Sequence, residues 1–211
     1  MKEEAMIVLE HISKSFGKAQ VLKNISMELF PGKIYGFVGY NGSGKTVLFK
    51  CICGFLTPDS GKIFVKGKLF QNRILTEAGI IIENPAFLSG KSGFKNLELL
   101  YMLNHKRDKK HISDVMEKVG LEPKSLKSVK HYSLGMRQRL AIGQAIMEDP
   151  EILILDEPMN GLDKNGVREV REMLLSMKNE GKLIILASHN REDIEVLCDE
   201  VYEMDTGGIV R

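Results

Sequence analysis

Thiols are scarce in this chain: Cys51, Cys53 and Cys198 are the three it has. An odd count without CxxC spacing makes neither a disulfide framework nor a zinc site. Cys51 and Cys53 fall in the apolar run VLFKCICGFL and read as small core residues, in keeping with a reducing compartment. Charge of one sign is also missing. The 30 Lys and Arg against 28 Asp and Glu leave a net charge of +2, spread along the chain. That balance lacks the basic stripe of a nucleic-acid binder, and no nucleic-acid partner is expected. The cluster HKRDKK at His105 to Lys110 reads as a solvated loop between helices. No apolar run approaches the roughly 20 residues that a membrane helix needs. The opening MKEEAMIVLEH has no long apolar segment of the signal-peptide kind. A chain soluble by itself, yet able to dock on a membrane protein, is the expectation. Internal repeats and low-complexity segments are missing as well.

What remains is a sequence of 211 residues with 43% hydrophobic content, enough for a full core. AMIVLEHI and VLKNISMEL are rich in β-formers, and Pro31-Gly32 marks a turn before KIYGFVG. Helical spacing follows the glycine-rich loop from Gly44 to Gly54. GKIFVKGKLF returns to strand, and GIII is a short buried strand bounded by Asn84-Pro85. From about Phe87 to Met147 the pattern is helical. Phe94, Leu97, Leu100 and Leu103 share one face, Ile112, Val115, Met116 and Val119 a second, and residues 134–147 form a third helix. EILILDEP and LIILAS are apolar strands flanking a helix over residues 164–180 that Gly181 stops. A short helix and the segments EVYEM and GIV, around the turn DTGG, complete the chain. Short, wholly apolar strands alternating with helices imply a parallel sheet covered on both faces. The fold class is therefore α/β, with an N-terminal β portion and a helical insertion near residues 87–140.

Gly39-Tyr40-Asn41-Gly42-Ser43-Gly44-Lys45-Thr46 matches G-x-x-x-x-G-K-[ST] in full, between a strand and a helix. Its glycines permit positive φ and let backbone N–H groups close around phosphate oxygens. The helix behind it points its positive end at the same charge. Lys45 is expected to reach the outer phosphates of ATP, and the Thr46 hydroxyl to ligate Mg²⁺. Asp156 and Glu157 end an apolar strand, where ligands sit in open α/β sheets. Asp156 is expected to hold the Mg²⁺ through its hydration shell, and Glu157 to orient or deprotonate the attacking water. His189 directly follows LIILAS at the same sheet edge, and is expected to contact the γ-phosphate or that water. These residues support a P-loop NTPase and leave its task open.

Tyr132-Ser133-Leu134-Gly135-Met136-Arg137-Gln138-Arg139-Leu140, ahead of the Asp-Glu strand, resembles the signature of the ATP-binding cassette (ABC) proteins. Asn160-Gly161-Leu162-Asp163 resembles their D-loop, His189 their switch histidine, and Phe16 lies where they stack an aromatic ring on adenine. The resemblance covers essentially the whole chain. It implies a RecA-like core over residues 1–86 and 141–211, with an N-terminal antiparallel β subdomain and an inserted helical subdomain over residues 87–140. Ser133 is a good helix N-cap, and with Leu134, Gly135 and Met136 it is expected to close over a partner's P-loop. The D-loop residue is Asp163. Two departures stand out. Leu134 and Met136 replace a glycine and the glutamine of LSGGQ, and Glu83 stands where a glutamine that ligates Mg²⁺ is usual. IIIENPAFL with SLGMRQRL resembles the exporter branch of bacitracin-efflux and lantibiotic-immunity ATPases. The resemblance therefore implies an ATPase with a second ATP-binding subunit, identical or not, and a separate membrane permease. It would lie in the cytoplasm on the inner face of the membrane, with the segment PAFLSGKSGFKN either facing the permease or serving as core. A non-transport ABC ATPase acting on ribosomes or DNA is the second functional class, and a binding-only cassette the third.

Overall fold

The computed structural model describes residues 4–71, 73–83 and 85–210, so Asn84 lies outside the described residues. Two sheets form. The first is antiparallel and four-stranded, in the order β2-β1-β4-β5, from β1 (Ile7–Phe16), β2 (Ala19–Leu29), β4 (Ser60–Val65) and β5 (Lys68–Leu69). The second holds six strands in the order β10-β9-β3-β8-β7-β6. Its members are β3 (Ile34–Val38), β6 (Ala78–Ile81), β7 (Ile152–Asp156), β8 (Leu183–Ala187), β9 (Glu200–Asp205) and β10 (Gly208–Val210). From β9 to β6 every pairing is parallel, and β10 closes the edge as an antiparallel hairpin partner of β9. The expectation of a parallel sheet holds.

Alternation along the strands divides the core in two. Ile152, Ile154, Leu183 and Ile185 pack with Phe37, α1 (Lys45–Ile52) and the inner face of the antiparallel sheet. The ring of Phe37 meets Phe49 of α1 edge-on at 5.4 Å. Leu153, Leu155, Ile184 and Leu186 point the other way, into the helices. These are α2 (Gly93–Tyr101), α3 (Lys109–Lys118), α4 (Leu134–Ile146) and α5 (Lys164–Asn179); α6 (Arg191–Leu197) adds Ile194 against Gly36 of β3. Among the described residues no helix is long and apolar enough to cross a membrane.

Cys51 and Cys53 are buried, as expected for core residues, and burial pushes their thiols up to about 11 and about 12. Four expectations change. GKIFVKGKLF is a hairpin rather than one strand, because Lys66 and Gly67 both take positive φ, the backbone of a two-residue type I′ turn. The helical region begins at Gly93 under the Ser92 cap, so residues 87–91 are irregular. Leu103 does not extend the α2 face. The helix stops at Tyr101 and Leu103 is 77% exposed. Helix α4 runs through residue 140, so the line drawn there between core and helical subdomain falls inside a helix.

The turn after α2 is held by a buried carboxylate. Glu98, 1% exposed, takes the ammonium of Lys95 at 2.6 Å and the guanidinium of Arg107 at 2.7 Å. Those hydrogen bonds hold its carboxyl below the usual carboxylate range. The stabilisation is complete above the unfolded pKa of about 4.3 and is lost as pH falls through the lower native value. Glu98→Gln should destabilise the fold by about 2 kcal/mol at pH 7. Urea unfolding of the two proteins at pH 7 and at pH 3 should show that gap narrowing in acid.

Candidate active site

Parallel register brings the chemistry to one edge. Phe37 and Asp156 both pair with Ala187, and Ile81 pairs with Leu155. The next residues of the four strands are thus Val38 and Gly39, Ser188 and His189, Glu157, and Ile82 and Glu83. A cleft of about 390 Å³ opens there, lined by Val21, Asn41, Gly42, Gly44, Lys45, Thr46, Val47, Glu83, Gln138, Asp156, Glu157 and Asn160.

The loop before α1 is tightly set. A side chain at Gly39 would put its Cβ 2.2 Å from the Met204 carbonyl oxygen, and one at Gly44 would put it 2.8 Å from that of Val21. Backbone contact on both sides therefore requires glycine, quite apart from the positive φ at each position. Lys45 folds back along the loop, its Nζ donating to the carbonyls of Gly39 at 2.7 Å and Tyr40 at 3.2 Å. Tyr40 itself is 81% exposed. Ser43 is buried, and its Oγ has no hydrogen-bond partner among the described residues.

On the far wall, Thr46 Oγ1 donates to Asp156 Oδ2 at 2.7 Å. A hydroxyl and a carboxylate side by side are hard oxygen donors of the kind Mg²⁺ takes from a protein when phosphates complete its shell, so the residues fit the ion. Glu157 sits one residue beyond in a left-handed conformation, φ 53°, with its N–H bonded to the Ala187 carbonyl at 2.9 Å. Its Oε2 lies 2.8 Å from Nδ1 of His189. The strand-end carboxylate and the strand-end histidine thus touch each other, a contact that the sequence did not announce.

The other expected residues lie around the cleft or away from it. Glu83 faces the cleft, but its Oε1 holds Lys50 of α1 at 2.6 Å. Phe16, 49% exposed at the end of β1, does not line the cleft; Val21 of the same hairpin does. Asp163 caps α5, accepting the Gly166 N–H at 2.8 Å. Ser133 caps α4 by accepting the Met136 N–H at 3.2 Å. None of Ser133, Leu134, Gly135 or Met136 lines the cleft. Leu134 and Gly135 instead lie against Gly161. Val21, Val47, Gln138 and Asn160 do line it and were not among the expected site residues. Val21 carries no chemical signal, and Gln138 and Asn160 passed as parts of larger motifs.

The family model described as ABC transporter matches residues 22–160. The chain belongs to the ABC transporter family. A curated relative from Bacillus subtilis (strain 168), the uncharacterized ABC transporter ATP-binding protein YybJ, is 42% identical over 96% of this cassette and 94% of its own length. The bacitracin transport ATP-binding protein BcrA of Enterococcus faecalis is 38% identical over 98% of the cassette and 68% of its own length. The lantibiotic transport ATP-binding protein SrtF of Streptococcus pyogenes is 36% identical, over 97% and 89%. Among solved structures, the dimeric ATP-binding cassette MJ0796 bound to ADP and Pi superposes with a TM-score of 0.89 at 19% identity, over 98% and 97% of the two chains. cbiO1 of Clostridium perfringens, part of the transporter complex cbiONQ, gives 0.83 at 29% identity, over 99% and 88%. The cassette is thus an ABC transporter ATP-binding subunit with the P-loop nucleotide hydrolase fold.

Because the Ser43 hydroxyl is buried without a partner among the described residues, its removal should relieve a desolvation cost rather than create one. Ser43→Ala should leave the melting temperature of the nucleotide-free cassette unchanged or raise stability by up to about 1 kcal/mol. Thermal unfolding without nucleotide measures it.

Proposed function

We propose that this cassette hydrolyses ATP to power a separate membrane permease, exporting a peptide antibiotic or another amphipathic compound. The observation that carries the catalytic part is the pair of contacts at this sheet edge, Thr46 to Asp156 at 2.7 Å and Glu157 to His189 at 2.8 Å. The export part rests on the bacitracin and lantibiotic transport names of BcrA and SrtF.

The chemistry follows from the residues. Lys45 exchanges the Gly39 and Tyr40 carbonyls for the outer phosphates of ATP, and the N–H groups of residues 41–46 close on the same oxygens. Thr46 and Asp156 hold Mg²⁺, with Glu83 available once it leaves Lys50. The ion, when bound, neutralises charge on the outer phosphates. Glu157 orients the attacking water and takes its proton. His189 holds that carboxylate from one ring nitrogen and directs the other at the γ-phosphate or the water. Phe16 closes on adenine from the end of the β1–β2 hairpin.

Hydrolysis in this reading is shared between two subunits. The capped N-terminus of α4, with Ser133, Leu134, Gly135 and Met136, faces a partner cassette's phosphates, and Asp163 lies beside it on the D-loop. The permease binds on the opposite flank. A second cleft, about 660 Å³, runs between the parallel sheet and the helical lobe, lined by Phe55, Ile82, Pro85, Ala86, Leu100 and Leu103 among others. The exposed leucine at the end of α2 belongs to this apolar trough, whose proposed occupant is a cytoplasmic helix of the permease. In this reading the cassette lies on the inner face of the membrane.

Glu157→Gln should bind ATP, hydrolyse it about 100-fold more slowly or worse, and accumulate as an ATP-bound dimer. Phosphate release and size-exclusion chromatography with ATP read both effects; full turnover removes Glu157 from catalysis. Specific ATPase activity of the isolated cassette should also fall on dilution. A constant value per subunit over a wide concentration range would contradict the shared site while leaving nucleotide binding intact.

A further inference from the structure

The face of α4 carrying Leu134 and Gln138, four residues apart and so one above the other, also makes contacts within its own chain. It packs on residues 157–161 of its own chain, the segment that begins with the proposed catalytic carboxylate. A side chain at Gly161 would meet Leu134 Cγ at 2.4 Å, and one at Gly135 would meet the Gly161 carbonyl oxygen at 2.7 Å. The helix and the loop are therefore in backbone contact. One turn further on, Gln138 is 8% exposed, and its Nε2 donates to the Pro158 carbonyl at 2.9 Å and to the Glu157 carbonyl at 3.5 Å.

Glu157 needs this support. A glutamate at φ 53° occupies a sparsely populated backbone region and stays there only where its surroundings over-determine it. Its N–H is anchored on β8 by the Ala187 carbonyl. The other side of the turn is held by the Gln138 amide, and Pro158 is buried with a carbonyl that requires a donor. Asn160, which lines the cleft, belongs to the same turn through its N–H to the Glu157 carbonyl at 3.2 Å.

We propose that Gln138 is a positioning residue for hydrolysis: it fixes the left-handed turn that aims the Glu157 carboxylate of its own chain into the cleft. The signature helix then serves two sites, its N-terminus the partner's nucleotide and its inner face its own chain's carboxylate. A movement of α4 on closing over a partner's ATP is transmitted through Gln138 to Glu157. This rests on the reading of Glu157 as the catalytic carboxylate.

The test compares Gln138→Met, which keeps the length and removes the donor, with Gln138→Asn, which keeps the amide and withdraws it by one methylene. Glu157→Gln is assayed alongside. Both Gln138 variants should bind ATP with a Kd within twofold of the parent, while kcat falls at least tenfold. Such a split between binding and turnover is not what general loosening of the fold produces. If Gln138→Met does not fold, Gln138→Asn carries the same expectation. Unchanged kcat in a folded Gln138 variant, with Glu157→Gln inactive, overturns the positioning role alone. Parallel loss of ATP affinity and kcat also overturns it, in favour of a structural role. Full activity of Glu157→Gln instead overturns the catalytic reading beneath it.

Discussion

In-register pairing of the parallel strands β3, β8, β7 and β6 is the constraint on which the site depends. Because Phe37 and Asp156 both stand opposite Ala187, the strands release their chains at one level. The P-loop, Asp156 with Glu157, His189 and Glu83 lie far apart in sequence and meet only because that edge is shared. A slip of one residue in β7 would turn Leu153 and Leu155 toward the wrong layer. It would also carry Asp156 away from Thr46. The apolar alternation that separates the two cores and the geometry that assembles the cleft are thus one property.

The helical side of the molecule adds a second restraint. Helix α4 lies on the parallel sheet, with Gly79 of β6 so close to Ala145 that a Cβ there would stand 2.0 Å from its carbonyl oxygen. The same helix meets the loop after β7 through Leu134, Gly135 and Gln138. Its position therefore bears on the sheet at one end and on the Glu157 turn at the other. Arg139 binds it further, donating to the Val119 carbonyl and to Glu169 of α5, each at 2.8 Å. Leu134, an apolar departure from the usual glycine, covers Gly161, whose lack of a side chain makes the room. Leu134 and Gly161 are steric complements.

Much of the site was legible because its chemistry is local. The eight residues from Gly39 to Thr46 announce a phosphate loop by composition and order alone, and an apolar strand ending in Asp156-Glu157 announces its own direction. Contacts made across the chain were not legible. GKIFVKGKLF gives two β-rich halves with only Lys66-Gly67 between them to show the reversal. Leu103 continues a three-residue spacing that the backbone abandons after Tyr101. Lys50, one helical turn beyond Thr46, has nothing in its surroundings to tell that it pairs with Glu83. Phe16 and Val21 belong to one hairpin, and only the packing of that hairpin against Gly44 decides which side chain borders the cleft.

The sequence by itself determined the α/β class, the phosphate loop, the strand-end acids, the strand-end histidine and the order of the family's motifs. Periodicity, glycine placement and residue chemistry are properties of neighbours along the chain. Tertiary structure alone decided that Thr46 and Asp156 touch, that Glu157 adopts a left-handed turn, and that Gln138 reaches from the signature helix to hold it. Those facts come from the register of parallel strands whose connections run through whole helices, and no short segment contains both partners of such a contact.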